Sequence, residues 1–181
     1  MLNKKSFLTI ILACALVFAL YGGAVAAQGD LEKVLNDRVA TLYVEGQPLG
    51  NMIIGARAKL EFIYVDGVLV RAVKDDERAP SWLEWHVNKY GSDEAKGKKL
   101  FILRVETFKP FTLMPEMIAV NGFQLKEENI LTRKEFAPLG ELPSSFKGAM
   151  VLAVPGDLVK PGKEVRFSCG SDEAVWVVPK K

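Results

Sequence analysis

Residues 59–73 read Lys-Leu-Glu-Phe-Ile-Tyr-Val-Asp-Gly-Val-Leu-Val-Arg-Ala-Val, and the predicted architecture depends on this stretch more than on any other. Two apolar runs flank Asp66-Gly67, the dipeptide of a two-residue type I′ turn, so the pattern predicts a β-hairpin. Pairing across the turn gives two apolar faces, one with Ile63, Val65, Val68 and Val70 and the other with Leu60, Phe62, Tyr64 and Leu69. Each face therefore needs a covering layer.

The segment after this hairpin has the pattern of a short helix. A Ser-x-x-Glu capping box begins at Ser81, and a helix over 82–90 places Trp82, Trp85 and His86 on or near one stripe. We expect this helix to cover the second face of the hairpin, with Trp82, Trp85 or both buried. Aromatic side chains left exposed beside polar groups would instead form a platform for a sugar or a peptide.

Most of the remaining chain alternates between apolar and polar residues, as strands do. Further strands are predicted over 40–45, 100–106, 117–120, 123–125, 150–154, 165–169 and 174–178. Asn121-Gly122 marks a second hairpin, and residues 28–38 form either a short helix or an ordered lead-in. The pattern predicts a mainly β fold, an antiparallel β-sandwich with one short helix on the sheet. The alternative is an α+β fold, with a small α+β lobe over 28–95 and a β lobe over 99–181.

The C-terminal strands carry a family resemblance. Gly148-Ala-Met-Val-Leu-Ala-Val-Pro155, followed by Lys160-Pro-Gly-Lys163 and a strand, resembles the end of bacterial exported immunoglobulin-like (telokin-like) domains. In those domains a glycine opens a strand that closes on Val-Pro. The resemblance implies an extracytoplasmic immunoglobulin-like β-sandwich and carries over no site residue. The tryptophan-bearing helix and the long stretch before residue 100 depart from that family.

Residues 1–26 have the layout of a secretory signal peptide. Lys4-Lys5 is followed by an apolar core over 7–20, and Ala24-Val25-Ala26 forms a small-x-small cleavage site. Cleavage predicts an exported domain over 27–181, periplasmic or secreted, with no stable membrane insertion. Removing 26 of the 181 residues leaves 155, enough for one domain with a substantial core.

Two other fates of the N-terminus are weighed against cleavage. Residues 7–27 are long and apolar enough to anchor the protein in a membrane if they are retained. Ile11-Leu12-Ala13-Cys14 resembles a lipobox, in which Cys14 would be acylated. Leucine is an awkward residue before Ala13, and acylation would leave an apolar run on the mature protein. We therefore favour cleavage after Ala26.

Charge and cysteine content restrict the possible partners. The chain has 24 basic and 22 acidic residues, and losing Lys4 and Lys5 leaves 22 of each, so net charge gives a nucleic-acid role no support. Cleavage also removes Cys14 and leaves Cys169 alone. Cys169 alternates with Val165 and Phe167, which predicts a buried thiol rather than a reactive one. We expect a monomer or a weak oligomer.

Catalytic motifs are scarce. The sequence has no Gly-x-Ser-x-Gly, His-Glu-x-x-His, Cys-x-x-Cys or phosphate loop, and we predict no catalytic residue, no metal and no cofactor. His86 is the only histidine, so a serine or cysteine hydrolase would have to use it as its base. A calcium site from residues 75–77 with Asp93 and Glu94 lacks the loop spacing, and a solvated turn is the simpler interpretation.

These observations favour an exported, non-catalytic binding or structural protein of the cell envelope. Its partner would be an envelope protein or a glycan. The candidate ligand-binding residues are Trp82, Trp85 and His86, with core packing of the tryptophans as the competing interpretation. The alternative function is a small extracytoplasmic hydrolase that uses His86.

Overall fold

The computed structural model describes residues 26–180, with side chains from Asp30 onward. Residues 1–25 of the predicted signal peptide, and with them Cys14, therefore lie outside the described residues. The helices are α1 (Ala26–Asn36), α2 (Gly67–Asp75) and α3 (Ser81–Val87). The strands are β1 (Val39–Val44), β2 (Gln47–Leu49), β3 (Met52–Ile54), β4 (Ala58–Val65), β5 (Lys98–Thr107), β6 (Phe111–Leu113), β7 (Ile118–Val120), β8 (Phe123–Gln124), β9 (Gly140–Leu142), β10 (Lys147–Pro155), β11 (Glu164–Cys169) and β12 (Asp172–Val177).

The strands form two four-stranded antiparallel sheets and two small ladders. The first sheet has the order β1-β4-β5-β10 and the second has the order β12-β11-β7-β8. Strands β2 and β3 pair with each other, as do β6 and β9. The described fold is therefore mainly β and antiparallel, which confirms the coarse prediction. Nowhere between residues 26 and 180 is a helix long and apolar enough to cross a bilayer.

The larger apolar cluster lies between the two sheets. Phe62 of β4 stacks on Phe167 of β11 with ring centroids 4.4 Å apart, and Phe101 of β5 meets Phe167 edge to face at 5.2 Å. All three side chains are at most 1 % exposed. Complete burial of one such ring contributes roughly 1.5–3 kcal/mol relative to exposure. These rings therefore hold the sheets face to face.

Cys169 lies in this same cluster, as its alternation with Val165 and Phe167 predicts. It is 1 % exposed, while Val165 and Phe167 have no exposed surface. Burial, and next the negative charge of Asp172, raises the pKa of the Cys169 thiol to about 11. The prediction of a buried thiol is confirmed.

The helices cover the opposite face of the first sheet. Ile63, Val65 and Ile102 belong to a second apolar cluster, which also includes Leu69 of α2 and Leu83 of α3. The structure therefore has three layers: helices, the first sheet and the second sheet. Both faces of β4 are apolar because both are covered.

The predicted hairpin at Asp66-Gly67 is wrong, because the chain enters α2 at this point. The Asp66 carboxylate caps the helix, accepting hydrogen bonds from the Val68 N–H at 3.1 Å and the Leu69 N–H at 2.9 Å. Leu69 and Val73 lie four residues apart and are both buried. This spacing places them on one helical face, which the strand interpretation overlooked. The predicted count of one helix is therefore also wrong, since residues 26–180 contain three α-helices.

The predicted helix over 82–90 is present as α3 and packs on the sheet. Its N-cap is Pro80, and no side chain caps it, so the expected capping box is wrong. Leu83 and Val87 face the core with at most 1 % exposure. Trp85 lies two positions from each, about 200° around the helix, and is 50 % exposed. The prediction that helix packing buries a tryptophan therefore fails for Trp85, whereas Trp82 is half-buried against the second cluster.

Candidate functional site

Two exposed aromatic rings from distant parts of the chain meet at one cleft. Trp85 on α3 is 50 % exposed, and Phe136, in the loop after β8, is 61 % exposed. Their ring centroids are 6.4 Å apart and their planes meet at 83°. The cleft beside them, which we call the aromatic cleft, has a volume of about 580 Å³. Together the two rings leave a large apolar surface in contact with solvent.

The loop that carries Phe136 is fixed to the edge of the first sheet. The Leu131 N–H donates to the carbonyl oxygen of Val151 at 2.8 Å, and the Val151 N–H donates to Thr132 Oγ1 at 2.9 Å. A hydrogen bond of 2.9 Å from the Phe136 N–H to the Arg133 carbonyl then closes a turn. The sheet edge therefore positions the loop beneath Phe136.

His86 links α3 to β10 under the cleft. The side chain is 5 % exposed, and its Nδ1 contacts the carbonyl oxygen of Trp82 while its Nε2 lies 3.0 Å from the carbonyl oxygen of Ala149. The Trp85 ring stands edge to face against the imidazole, with centroids 4.8 Å apart. Both ring nitrogens therefore face main-chain acceptors, and the imidazole supports Trp85 from below.

Trp82 lies away from the aromatic cleft. Its ring packs on the second apolar cluster, and the Arg104 guanidinium lies 5.4 Å from the ring centroid, within the range of a cation–π contact. Of the three predicted site residues, Trp85 and His86 line the cleft and Trp82 does not. Sequence reasoning missed Phe136, whose only signal is a lone aromatic residue in a polar run.

Polar groups complete the lining of the aromatic cleft. Lys89 and Arg133 are both cationic, and Lys89 also pairs with Glu94 at 3.2 Å. The Ser92 hydroxyl oxygen is buried in the lining and has no hydrogen-bond partner among the described residues. A buried hydroxyl without a partner costs free energy, and a ligand that hydrogen-bonds to it would recover that cost.

The acidic residues considered for calcium do not form a cation site. Asp76 accepts a hydrogen bond from the Arg78 N–H at 2.9 Å, and its side chain is buried at the end of α2. Asp93 and Glu94 belong to a separate 3₁₀ turn, Asp93–Ala95. Across the described chain, no group of three or more His, Cys, Asp or Glu side chains is placed to hold a metal ion.

No protein-family model, no curated protein and no solved structure matches this chain. The immunoglobulin-like resemblance of the C-terminal strands consequently stays a prediction.

Proposed function

We propose that this chain is an exported, non-catalytic binding protein of the cell envelope, and that the aromatic cleft holds its ligand. The observation that carries this proposal is the convergence of Trp85 and Phe136, both at least half exposed, on one cleft. Large aromatic side chains bury more apolar area than any other type and are enriched at binding interfaces. A ligand that covers both rings would recover that area.

The chemistry of the lining favours a glycan as the ligand. A sugar ring presents a face of C–H bonds, which packs against the negative face of an aromatic ring, and a rim of hydroxyl groups. Trp85 and Phe136 supply the aromatic surface, while Asn88, Ser92 and Thr132 supply hydrogen-bonding groups in the same cleft. This combination of apolar walls and a few polar groups is typical of small-molecule sites.

The contacts of His86 favour binding over hydrolysis. A general base must lie within hydrogen-bonding distance of the proton that it removes. Both nitrogens of His86 instead face carbonyl oxygens of the chain itself, one on α3 and the other on β10. The hydrolase hypothesis therefore gains no support from the position of this side chain.

We also propose that the two packed sheets form an immunoglobulin-like sandwich, used as a scaffold for the cleft. The layering of two four-stranded antiparallel sheets supports this classification, although α2 and α3, between β4 and β5, depart from it. Export rests on the signal-peptide pattern of residues 1–26. The predicted state of the exported protein is a monomer or a weak oligomer.

The test is a binding assay with exported protein, bacterial cell-wall glycan as an insoluble probe and N-acetylglucosamine oligomers as soluble probes. We expect Trp85→Ala and Phe136→Ala each to weaken binding about tenfold, which corresponds to a loss of roughly 1.4 kcal/mol. Phe108→Ala is the matched control, because Phe108 is 46 % exposed just beyond the far end of β5. Absence of binding by the unmodified protein, or equal losses in all three variants, would contradict the proposal.

A further inference from the structure

A second cleft, of about 780 Å³, opens where β4 ends and α2 begins. It lies beside the paired residues Val65 of β4 and Leu100 of β5. Its polar lining includes Tyr64, Asp66, Arg71, Tyr90, Lys98 and Lys99, and we call it the tyrosine cleft. None of these residues lines the aromatic cleft, so the two clefts have separate chemistry.

Tyr64 and Tyr90 both line the tyrosine cleft. Tyr64 is 6 % exposed and lines the cleft. A Cβ atom added to Gly67 would lie 3.6 Å from the Tyr90 hydroxyl oxygen, which places that oxygen against the first turn of α2. Burial, then the negative charge of Asp66, then Tyr90 raise the pKa of Tyr64, and no hydrogen bond to a described residue contributes. At neutral pH the Tyr64 hydroxyl is therefore protonated and can donate a hydrogen bond to a ligand in the cleft.

The charged residues that line the tyrosine cleft carry a net positive charge. Arg71, Lys98 and Lys99 line it, and Asp66 is the one acid among its lining residues. Both carboxylate oxygens of Asp66 are bonded to Arg38, each at 3.0 Å. Burial opposes ionisation of Asp66, but the bonds from Arg38 and two backbone N–H groups outweigh it and lower its pKa. Asp66 is thus neutralised by Arg38, and the remaining charge of the lining is positive.

The N-terminus of α2 forms one side of the tyrosine cleft. The helix has nine residues and begins at Gly67, beside the Tyr90 hydroxyl. The first-turn N–H groups of Val68 and Leu69 already donate to the Asp66 carboxylate, so they are not available to a ligand. The cleft therefore combines tyrosine hydroxyl donors with the cations Arg71, Lys98 and Lys99.

We infer that the tyrosine cleft is a binding site for an oxyanion, the phosphate or carboxylate group of a small polar ligand. The hydroxyls of Tyr64 and Tyr90 donate to the anion, and Lys98 and Lys99 neutralise its charge. Arg71 contributes less, because its Nε already donates to the Gly67 carbonyl oxygen at 3.2 Å. This site is independent of the glycan site proposed above.

The experiment is isothermal titration calorimetry of the exported protein with inorganic phosphate and, in a parallel arm, with citrate. Chloride holds the ionic strength constant, because exposed charges are screened by salt. We expect Tyr64→Phe, which removes only the hydroxyl, to weaken binding roughly fivefold. The Lys98→Ala/Lys99→Ala double variant should weaken it at least about tenfold. Tighter binding in one arm identifies the anionic group as phosphate or carboxylate.

The control for charge is the Lys74→Ala/Lys134→Ala double variant, which removes two exposed cations that do not line the tyrosine cleft. It should bind like the unmodified protein, and so should Phe136→Ala, which separates this site from the aromatic cleft. Circular dichroism of Tyr64→Phe confirms that it is folded. The inference is overturned if neither anion binds, if Tyr64→Phe binds normally, or if the control double variant loses as much affinity as Lys98→Ala/Lys99→Ala.

Discussion

Asp66-Gly67 and Asn121-Gly122 are nearly the same dipeptide, yet the chain uses them for opposite purposes. Asn121 and Gly122 have φ values of 49° and 80° and form the turn between β7 and β8, as the sequence predicts. Asp66 is instead extended, with φ −127°, and begins a helix. The residues that follow make the difference, because Leu69 and Val73 repeat at helical spacing. A turn dipeptide is therefore informative only together with the periodicity beyond it.

Of the substitutions that distinguish the two dipeptides, the one at Asp66 should change the free energy of unfolding most. Replacing Asp66 with Ala removes the cap of α2 and leaves the Arg38 side chain, 5 % exposed, without its partner. Removing one partner of a buried ion pair costs about 3–5 kcal/mol, and because Asp66 is 22 % exposed we expect a loss near the lower end of that range. The measurement is urea unfolding at neutral pH, with Asp75→Ala, an exposed acid at the other end of α2, as the control. A loss below about 1 kcal/mol would contradict the assigned role of this pair.

Low pH should destabilise the protein by protonating the same Asp66 carboxylate, which caps α2. Because the pKa of Asp66 is lowered in the folded state, its contribution to stability is present above the ordinary aspartate pKa. That contribution is lost as the pH falls through the folded pKa. As the pH is lowered from 5, the free energy of unfolding should therefore fall less steeply for Asp66→Asn than for the unmodified protein. Equal slopes would show that Asp66 is not the titrating group.

At the second dipeptide, the sensitive residue is the glycine. Ala at position 122 would adopt a φ of 80°, in the left-handed region, although no atom stands within 4 Å of the added Cβ. Left-handed backbone costs a non-glycine residue roughly 1–2 kcal/mol. Thermal unfolding of Gly122→Ala should show this loss. An unchanged midpoint would mean that the turn can change its type.

The smallest effect is expected at Gly67 and has the opposite sign. Gly67 is the first residue of α2, and an added Cβ would meet only the Tyr90 hydroxyl, at an ordinary contact distance of 3.6 Å. Gly67→Ala should stabilise the protein by about 0.4–1 kcal/mol, because alanine restricts the unfolded chain. Thermal unfolding beside Gly122→Ala gives the comparison directly. Destabilisation of both variants to the same extent would mean that Gly67 is also a turn residue.

The predictable parts of the fold are those with local periodicity. Alternation predicted β1, β5, β10, β11 and β12 to within a few residues, and it predicted the burial of Cys169. The helix after Asp66 also has a local signal, the helical spacing of Leu69 and Val73, but the strand interpretation gave the Asp66-Gly67 dipeptide more weight. Strands β2 and β3 were missed because each has only three residues and neither alternates between apolar and polar residues.

Only the part of the candidate site that lies on α3 was predictable from the sequence. Trp85 and His86 were selected because aromatic residues cluster on a short helix, and both line the cleft. Phe136 reaches Trp85 through the attachment of its loop to β10, a contact between distant segments that no sequence spacing reveals. The expectation of a buried Trp85 failed because Leu83 and Val87 already occupy the face of α3 that meets the sheet.

The reactivity of the buried Cys169 thiol reports how often the protein opens. With a pKa raised to about 11, the thiol is almost entirely protonated at pH 7, and the side chain is 1 % exposed. A thiol reagent in excess can therefore react only after the two sheets separate, so that separation limits the labelling rate. In the form cleaved after Ala26, which lacks Cys14, the labelling rate then reports how often the two sheets separate, without any introduced probe.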